Sequence, residues 1–139
     1  MKQAQRTLTV ATPGRGLVEI TAEATAFVRE SGIADGLLTA FCRHTSASLT
    51  IQENADPDVR HDLDAYFARL VPDGDPSWRH DSEGPDDMSA HIRSALTQAS
   101  VAIPLLEGRL ALGTWQGLYL WEHRTRPHRR EVVLHLIGD

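Results

Sequence analysis

Three of the seven histidines give this 139-residue sequence its sharpest chemical lead. His44, His80 and His91 stand in polar, turn-rich surroundings that a hydrophobic core would not select. Asp87 precedes His91 by four residues, a spacing that on a helix puts both side chains on one face. Neutral imidazole is the commonest protein metal ligand. First-row divalent ions accept three histidines, or two with a carboxylate, and keep a position open for water or substrate. His80 lies on the loop that feeds the same helix and can reach its first turn, whereas His44 has to arrive from a strand by tertiary contact. The competing reading of any histidine is a partly buried, hydrogen-bonded side chain. That reading suits His61, His123, His128 and His135, and no short-range ligand motif such as His-Glu-x-x-His is present.

Phosphate recognition is the second lead. Arg124, Arg126, Arg129 and Arg130 crowd one turn, and arginine forks match phosphate or carboxylate oxygens. Their alternative is a solvated hairpin, or ion pairs with the segment Glu53 to Asp87, which holds eleven acidic residues against three arginines. The whole chain carries a formal charge of −5, which argues against binding a nucleic-acid backbone. Nucleophilic catalysis is a weaker third reading. His44, Ser46 and Ser48 could share a strand face, but neighbours two residues apart rarely form a Ser–His pair. Cys42, the lone cysteine, reads as strand packing and fits a reducing, cytoplasmic setting.

The elements that must position these residues read as follows. Hydrophobic residues at 41% can build a core, and without repeats or a long linker residues 1–139 read as one domain. No apolar run has the length of a signal peptide or membrane span, so neither secretion nor membrane insertion is expected. Strands are predicted over Arg6 to Ala11, Leu17 to Ile20 and Gly36 to Arg43, the last read as buried. A helix capped by Thr21 runs to Glu30. From His44 to Gln52 the alternation is clean, with Ala47, Leu49 and Ile51 opposite Ser46, Ser48 and Thr50. Asp56-Pro57 starts a second helix, which ends before Pro72. After the irregular segment Val71 to Pro85, a third helix from Asp86 to Gln98 is predicted to bury Met88, Ile92, Ala95 and Leu96. Strands are then expected at Val101 to Ile103, Arg109 to Leu112, Trp115 to Glu122 and Glu131 to Ile137. The last two are apolar on both faces, so a second sheet, helices or another subunit must cover them. Without regular βαβ alternation, the class is α+β.

Several segments together resemble the YjbQ family: His44-Thr45-Ser46-Ala47-Ser48-Leu49, then Gln52-Glu53-Asn54 followed by Asp56-Pro57, then His80 with Asp87 and His91, then Leu112-Gly113-Thr114-Trp115-Gln116 with Glu122. The resemblance spans essentially the whole chain. It implies an α+β domain with a β-sandwich-like core of mixed sheets flanked by about three helices, assembled as a homotrimer. It also implies a histidine-lined pocket with His44, His80 and His91 facing a divalent metal, and Asp87 beside them. His44, Asp87 and Glu122 are the catalytic candidates; Ser46, Ser48, Asn54 and Gln116 line the pocket, and Arg126 and Arg130 are placed to meet a phosphate. The implied activity is secondary thiamine-phosphate synthesis, in which an aminopyrimidine methyl diphosphate is joined to a thiazole phosphate with loss of diphosphate. Histidine ligands favour zinc, manganese or nickel, while a diphosphate substrate would bring magnesium. The alternatives are a trimeric binder of metal or phosphometabolite without turnover, and a metal-dependent hydrolase. Trp78 departs from the family, where tyrosine is more familiar two residues before the loop histidine; the ring stays and the hydroxyl is lost.

Overall fold

Period-two patterning and turn chemistry produce eight strands and three helices, seen here in a computed structural model that describes residues 1–139. Their order is β1 (Lys2–Thr12), β2 (Gly16–Glu19), α1 (Thr21–Ser31), β3 (Gly36–Cys42), β4 (Ala47–Glu53), α2 (Pro57–Leu70), α3 (Asp87–Leu96), β5 (Ser100–Leu106), β6 (Arg109–Leu110), β7 (Gln116–Glu122) and β8 (His128–Gly138). A five-stranded sheet runs β1-β8-β3-β5-β6 and a three-stranded sheet runs β2-β7-β4, with every pair antiparallel. The core lies between them. Leu38, Leu134 and Leu136 from the large sheet, and Leu49 and Leu120 from the small one, are completely buried there, and Phe27 of α1 joins the same cluster. Alternation sends Tyr119 and Trp121 to the other side of the small sheet. There α2 covers them, with the Phe67 ring edge-on to Trp121 at 4.7 Å. The protein is therefore α+β, as its pattern predicts, and no helix is long and apolar enough to cross a membrane.

Local chemistry explains most boundaries. Asp56 accepts the Asp58 N–H at 2.9 Å and Pro57 opens α2, the expected capped start. Thr21 is not the cap of α1, because Ile20 holds that position. Its hydroxyl instead accepts the Leu118 N–H and donates to Glu19. β1 begins four residues before the predicted Arg6, since residue-by-residue pairing with β8 extends from Lys2 to Thr12. β3 was expected to be buried throughout, yet it alternates: Leu37 and Phe41 are 41% and 48% exposed. With half-buried Val133 and Ile137 they form an outer face of the large sheet that no element of this chain covers.

α3 reverses its expected polarity. Its buried residues are Asp87, Ser89, Ala90 and Arg93, while Leu96 is 58% exposed. Ordinary amphipathic reading fails here because the inward side of α3 is held by charge and hydrogen bonding. Arg93 donates to the Val71 carbonyl at 3.0 Å, and Ser89 donates to Asp73, which Arg15 also grips.

Gly36 and Gly138 face each other where β3 meets β8. A Cβ on Gly36 would stand 2.2 Å from the Ile137 carbonyl oxygen, and one on Gly138 would stand 2.0 Å from that of Asp35. Backbone cannot yield as a flexible side chain does. Gly36→Ala is therefore expected to lose about 3 kcal/mol of stability, the upper range for overpacking, as read by urea unfolding. A loss below about 1 kcal/mol would show that the two strands separate freely.

Candidate metal centre

The reversed helix explains how a histidine site arises. Asp87 and His91 are one helical turn apart, and α3 turns both toward the loop that carries His80. His80 Nε2 lies 2.6 Å from Asp87 Oδ2, and His91 Nε2 lies 3.2 Å from the same oxygen. One ligand atom from each of the three residues falls within 4.8 Å of the others. The Asp87 side chain is 5% exposed, whereas those of His80 and His91 are 42% and 32% exposed, so the cluster has a buried base and an accessible rim.

Hydrogen bonding fixes its orientation. His91 Nδ1 donates to the Thr45 carbonyl at 3.0 Å, the outer-sphere bond that metal-ligating histidines usually make and that points the other nitrogen at the ion. The donor set, two imidazoles and a carboxylate, therefore fits a borderline divalent ion such as zinc, manganese or nickel. The other oxygen of Asp87 is held by Arg124 Nη1 at 2.8 Å. Arg124 also donates from Nε to Asp86 at 3.0 Å and from Nη2 to the Glu83 carbonyl at 2.9 Å.

These contacts set the local electrostatics. Burial pushes Asp86 up, but hydrogen bonds from Arg124 and from the backbone and hydroxyl of Thr125 outweigh it and hold the carboxyl far below its usual range. Asp87 is likewise pulled down against its burial by His80, Glu83 and Arg124. The bond to Asp87 raises His80, with burial opposing.

The remaining candidates separate into distinct places. His44 lies outside this cluster because its strand begins only at Ala47, and its Nε2 accepts the Glu131 N–H at 2.7 Å. Burial and then the Arg130 charge push its pKa down. It lines a cleft of about 460 Å³ together with Phe41, Arg43 and Thr45, the residue whose carbonyl holds His91. Glu122 is fully buried and points into protein, not into a cavity. It accepts from Thr12 at 2.7 Å, from Arg130 Nε at 2.8 Å and from the Arg124 N–H at 3.1 Å. Arg130 is 5% exposed and its guanidinium is used on Glu122 and on Ser46, at 3.0 Å from the Ser46 hydroxyl. Of the two arginines expected to meet a phosphate, Arg126 is the one on an exposed position.

Ser48 pairs with His123 at 2.8 Å, fully buried behind the small sheet. Asn54 bonds Glu19 and Gln116 accepts the Gly113 N–H, both of them at the opposite end of the β4–β7 ladder from Glu122. Six residues of strand, roughly 20 Å at ~3.3 Å each, separate that end from the histidines. Sequence reading missed Asp86 and Glu83, and it read His123 as a partly buried, hydrogen-bonded histidine where the structure buries it fully against Ser48. The Asp86-Asp87 doublet looked like an ordinary helix start; the signal for His123 was its continuation of the Tyr119, Trp121 alternation.

An antiparallel two-sheet α+β fold with a His-Asp-His cluster at a sheet end defines the general class. The chain belongs to the family described as UPF0047 protein YjbQ-like, whose profile matches residues 6–139. It is 56% identical over 138 residues to the UPF0047 protein sll1880 of Synechocystis sp., covering 99% of this chain and 94% of that relative. It is 42% identical over 136 residues to the UPF0047 protein YjbQ of Escherichia coli O157:H7, covering 97% and 98%. The crystal structure of an uncharacterized conserved YjbQ/UPF0047 protein from Clostridium acetobutylicum superposes with a TM-score of 0.83 at 36% identity, covering 96% of this chain and 99% of that one.

Proposed function

We propose that this chain is a divalent-metal-dependent enzyme acting on a small phosphorylated molecule, with the ion held by His80, Asp87 and His91. The observation that carries this reading is the convergence of three ligand atoms within 4.8 Å, with outer-sphere bonds from Thr45 and Arg124 already made. A bound zinc, manganese or nickel ion would supply a positive charge for phosphate oxygens, and magnesium would enter with a diphosphate substrate. Asp87, its far oxygen fixed by Arg124, holds the carboxylate still. His91 is held in one tautomer by Thr45, and exposed Arg126 offers a fork to an anion. Within this reading, the specific reaction is secondary thiamine-phosphate synthesis: the thiazole nitrogen displaces diphosphate from the pyrimidine methylene carbon. Such chemistry needs charge stabilisation on the leaving diphosphate more than covalent help. Buried Arg130 is assigned to holding Glu122 and Ser46. A homotrimer, in the cytoplasm, would use the uncovered face of the large sheet.

Calorimetric titration of untagged protein with zinc, manganese or nickel tests the site. We expect one ion per chain, and His80→Ala and His91→Ala each to weaken binding more than about 100-fold, beyond the 10–100-fold typical of outer-sphere changes. Affinity unchanged in both variants would remove the site. Metal-loaded protein that makes no thiamine phosphate above background would remove the named reaction and leave the site standing.

A further inference from the structure

A second cavity, of about 390 Å³, lies between α1 and the β5–β6 hairpin and shares no residue with the histidine cluster. That volume falls within the roughly 300–1,000 Å³ of small-molecule sites. α1 contributes Thr25, Val28 and Arg29, whose spacing puts them on one helical face. Arg109, Leu110 and Leu112 line the opposite wall. The floor is apolar: Val28 is 2% exposed, and Leu110 and Leu112 pack against the core.

The mouth has the opposite character. Arg29 and Arg109 both stand on exposed positions there. Of the acids near them in sequence, Glu30 pairs with Arg6 and Asp35 accepts the Glu107 N–H, while Glu107 itself stands on an exposed position at the hairpin turn. The lining holds two arginines, an apolar floor and no acidic residue, a combination that suits an anion with a hydrocarbon body.

The wall is also preformed. Leu106 pairs with Arg109 across Glu107 (φ 51) and Gly108 (φ 78), the left-handed pair of a two-residue hairpin turn. A non-glycine residue rarely adopts that φ, and here two bonds hold it: Gly108 N–H to the Ala34 carbonyl at 2.7 Å, and Glu107 N–H to Asp35 at 3.1 Å.

We propose that this cleft binds a small organic carboxylate with an apolar body. The carboxylate sits at the mouth with Arg29 and Arg109, and the hydrocarbon lies on Val28, Leu110 and Leu112. Octanoate and its uncharged counterpart octanamide, titrated into nitrogen-15-labelled full-length protein, test this directly. Octanoate should give saturable amide shifts at Thr25, Gly108 and Leu110, and bind at least about 10-fold more tightly than octanamide. Arg29→Ala/Arg109→Ala should erase that preference without changing the thermal midpoint or zinc binding. If the double variant fails to fold, Arg109→Gln alone gives the same readout.

Equal affinity for the two probes, a preference retained in the variants, or shifts confined to the uncovered sheet face would each overturn the proposal. So would concentration-dependent masking of these amides without any probe, because a second copy would then own the cleft.

Discussion

Glu122→Gln is expected to lower the unfolding free energy by about 3–5 kcal/mol, the range for breaking a buried ion pair from one side. The reason is what remains: the Arg130 guanidinium, 5% exposed, keeps its charge and loses the anion that Nε and Nη2 share. The amide keeps one acceptor oxygen, so either Thr12, which bonds Oε1, or the Arg124 N–H, which bonds Oε2, meets an NH2 group instead. For a chain of this size the thermal midpoint should fall by roughly 10–20 °C. The double change Glu122→Gln/Arg130→Met should recover much of the loss, since it removes the orphaned charge. A single-variant loss under about 1 kcal/mol would mean that water reaches Arg130 freely. The pair also matters to the metal cluster, because Glu122 fixes the backbone of Arg124, the residue that grips Asp86 and Asp87.

Acid should destabilise the fold well before its carboxylates titrate. His123 is fully buried, and burial pushes its pKa down to about 3. In the unfolded chain a histidine titrates near 6.5. Between these values the unfolded state takes up a proton that the folded state refuses, so stability is present above about 6.5 and is lost as pH falls. The slope is about 1.4 kcal/mol per pH unit, which gives a loss of about 3 kcal/mol by pH 4 from this one residue. Urea unfolding of wild type and His123→Gln at pH 7, 6, 5 and 4 isolates it. The variant should lack that slope above pH 5; parallel pH profiles would assign the loss to other groups. Glu122 adds the same sign at lower pH, because its net depressed pKa makes the ionised form stabilising above the unfolded value, and that stability is lost as the carboxylate protonates.

Much of the positioning was legible in the residues. Alternation in Ala47, Leu49 and Ile51 gave β4 its inward face, and Asp56-Pro57 gave the start of α2. The i, i+4 spacing of Asp87 and His91, with His80 on the preceding loop, anticipated three residues that do converge. What periodicity could not supply was the inversion of α3. An apolar stripe predicts burial only where the opposing surface is apolar, and here the opposing surface offers Arg124 from far along the chain and the Val71 carbonyl. The separation of His44 was equally hidden. Its strand neighbours alternate well, but the ladder starts three residues later, and Glu131 takes its nitrogen. Ser48 carries the opposite lesson: its placement beside a histidine depended on β7, not on the nearby His44.

The inward charge of α3 has a dynamic consequence. Among its buried residues only Ala90 is apolar, so lifting the helix away would expose little hydrocarbon to solvent. Local opening of that kind depends weakly on denaturant and draws on electrostatic attachment, which salt and protonation loosen. The helix that carries Asp87 and His91 is thus suited to breathe on its own, while the sheets behind it stay closed.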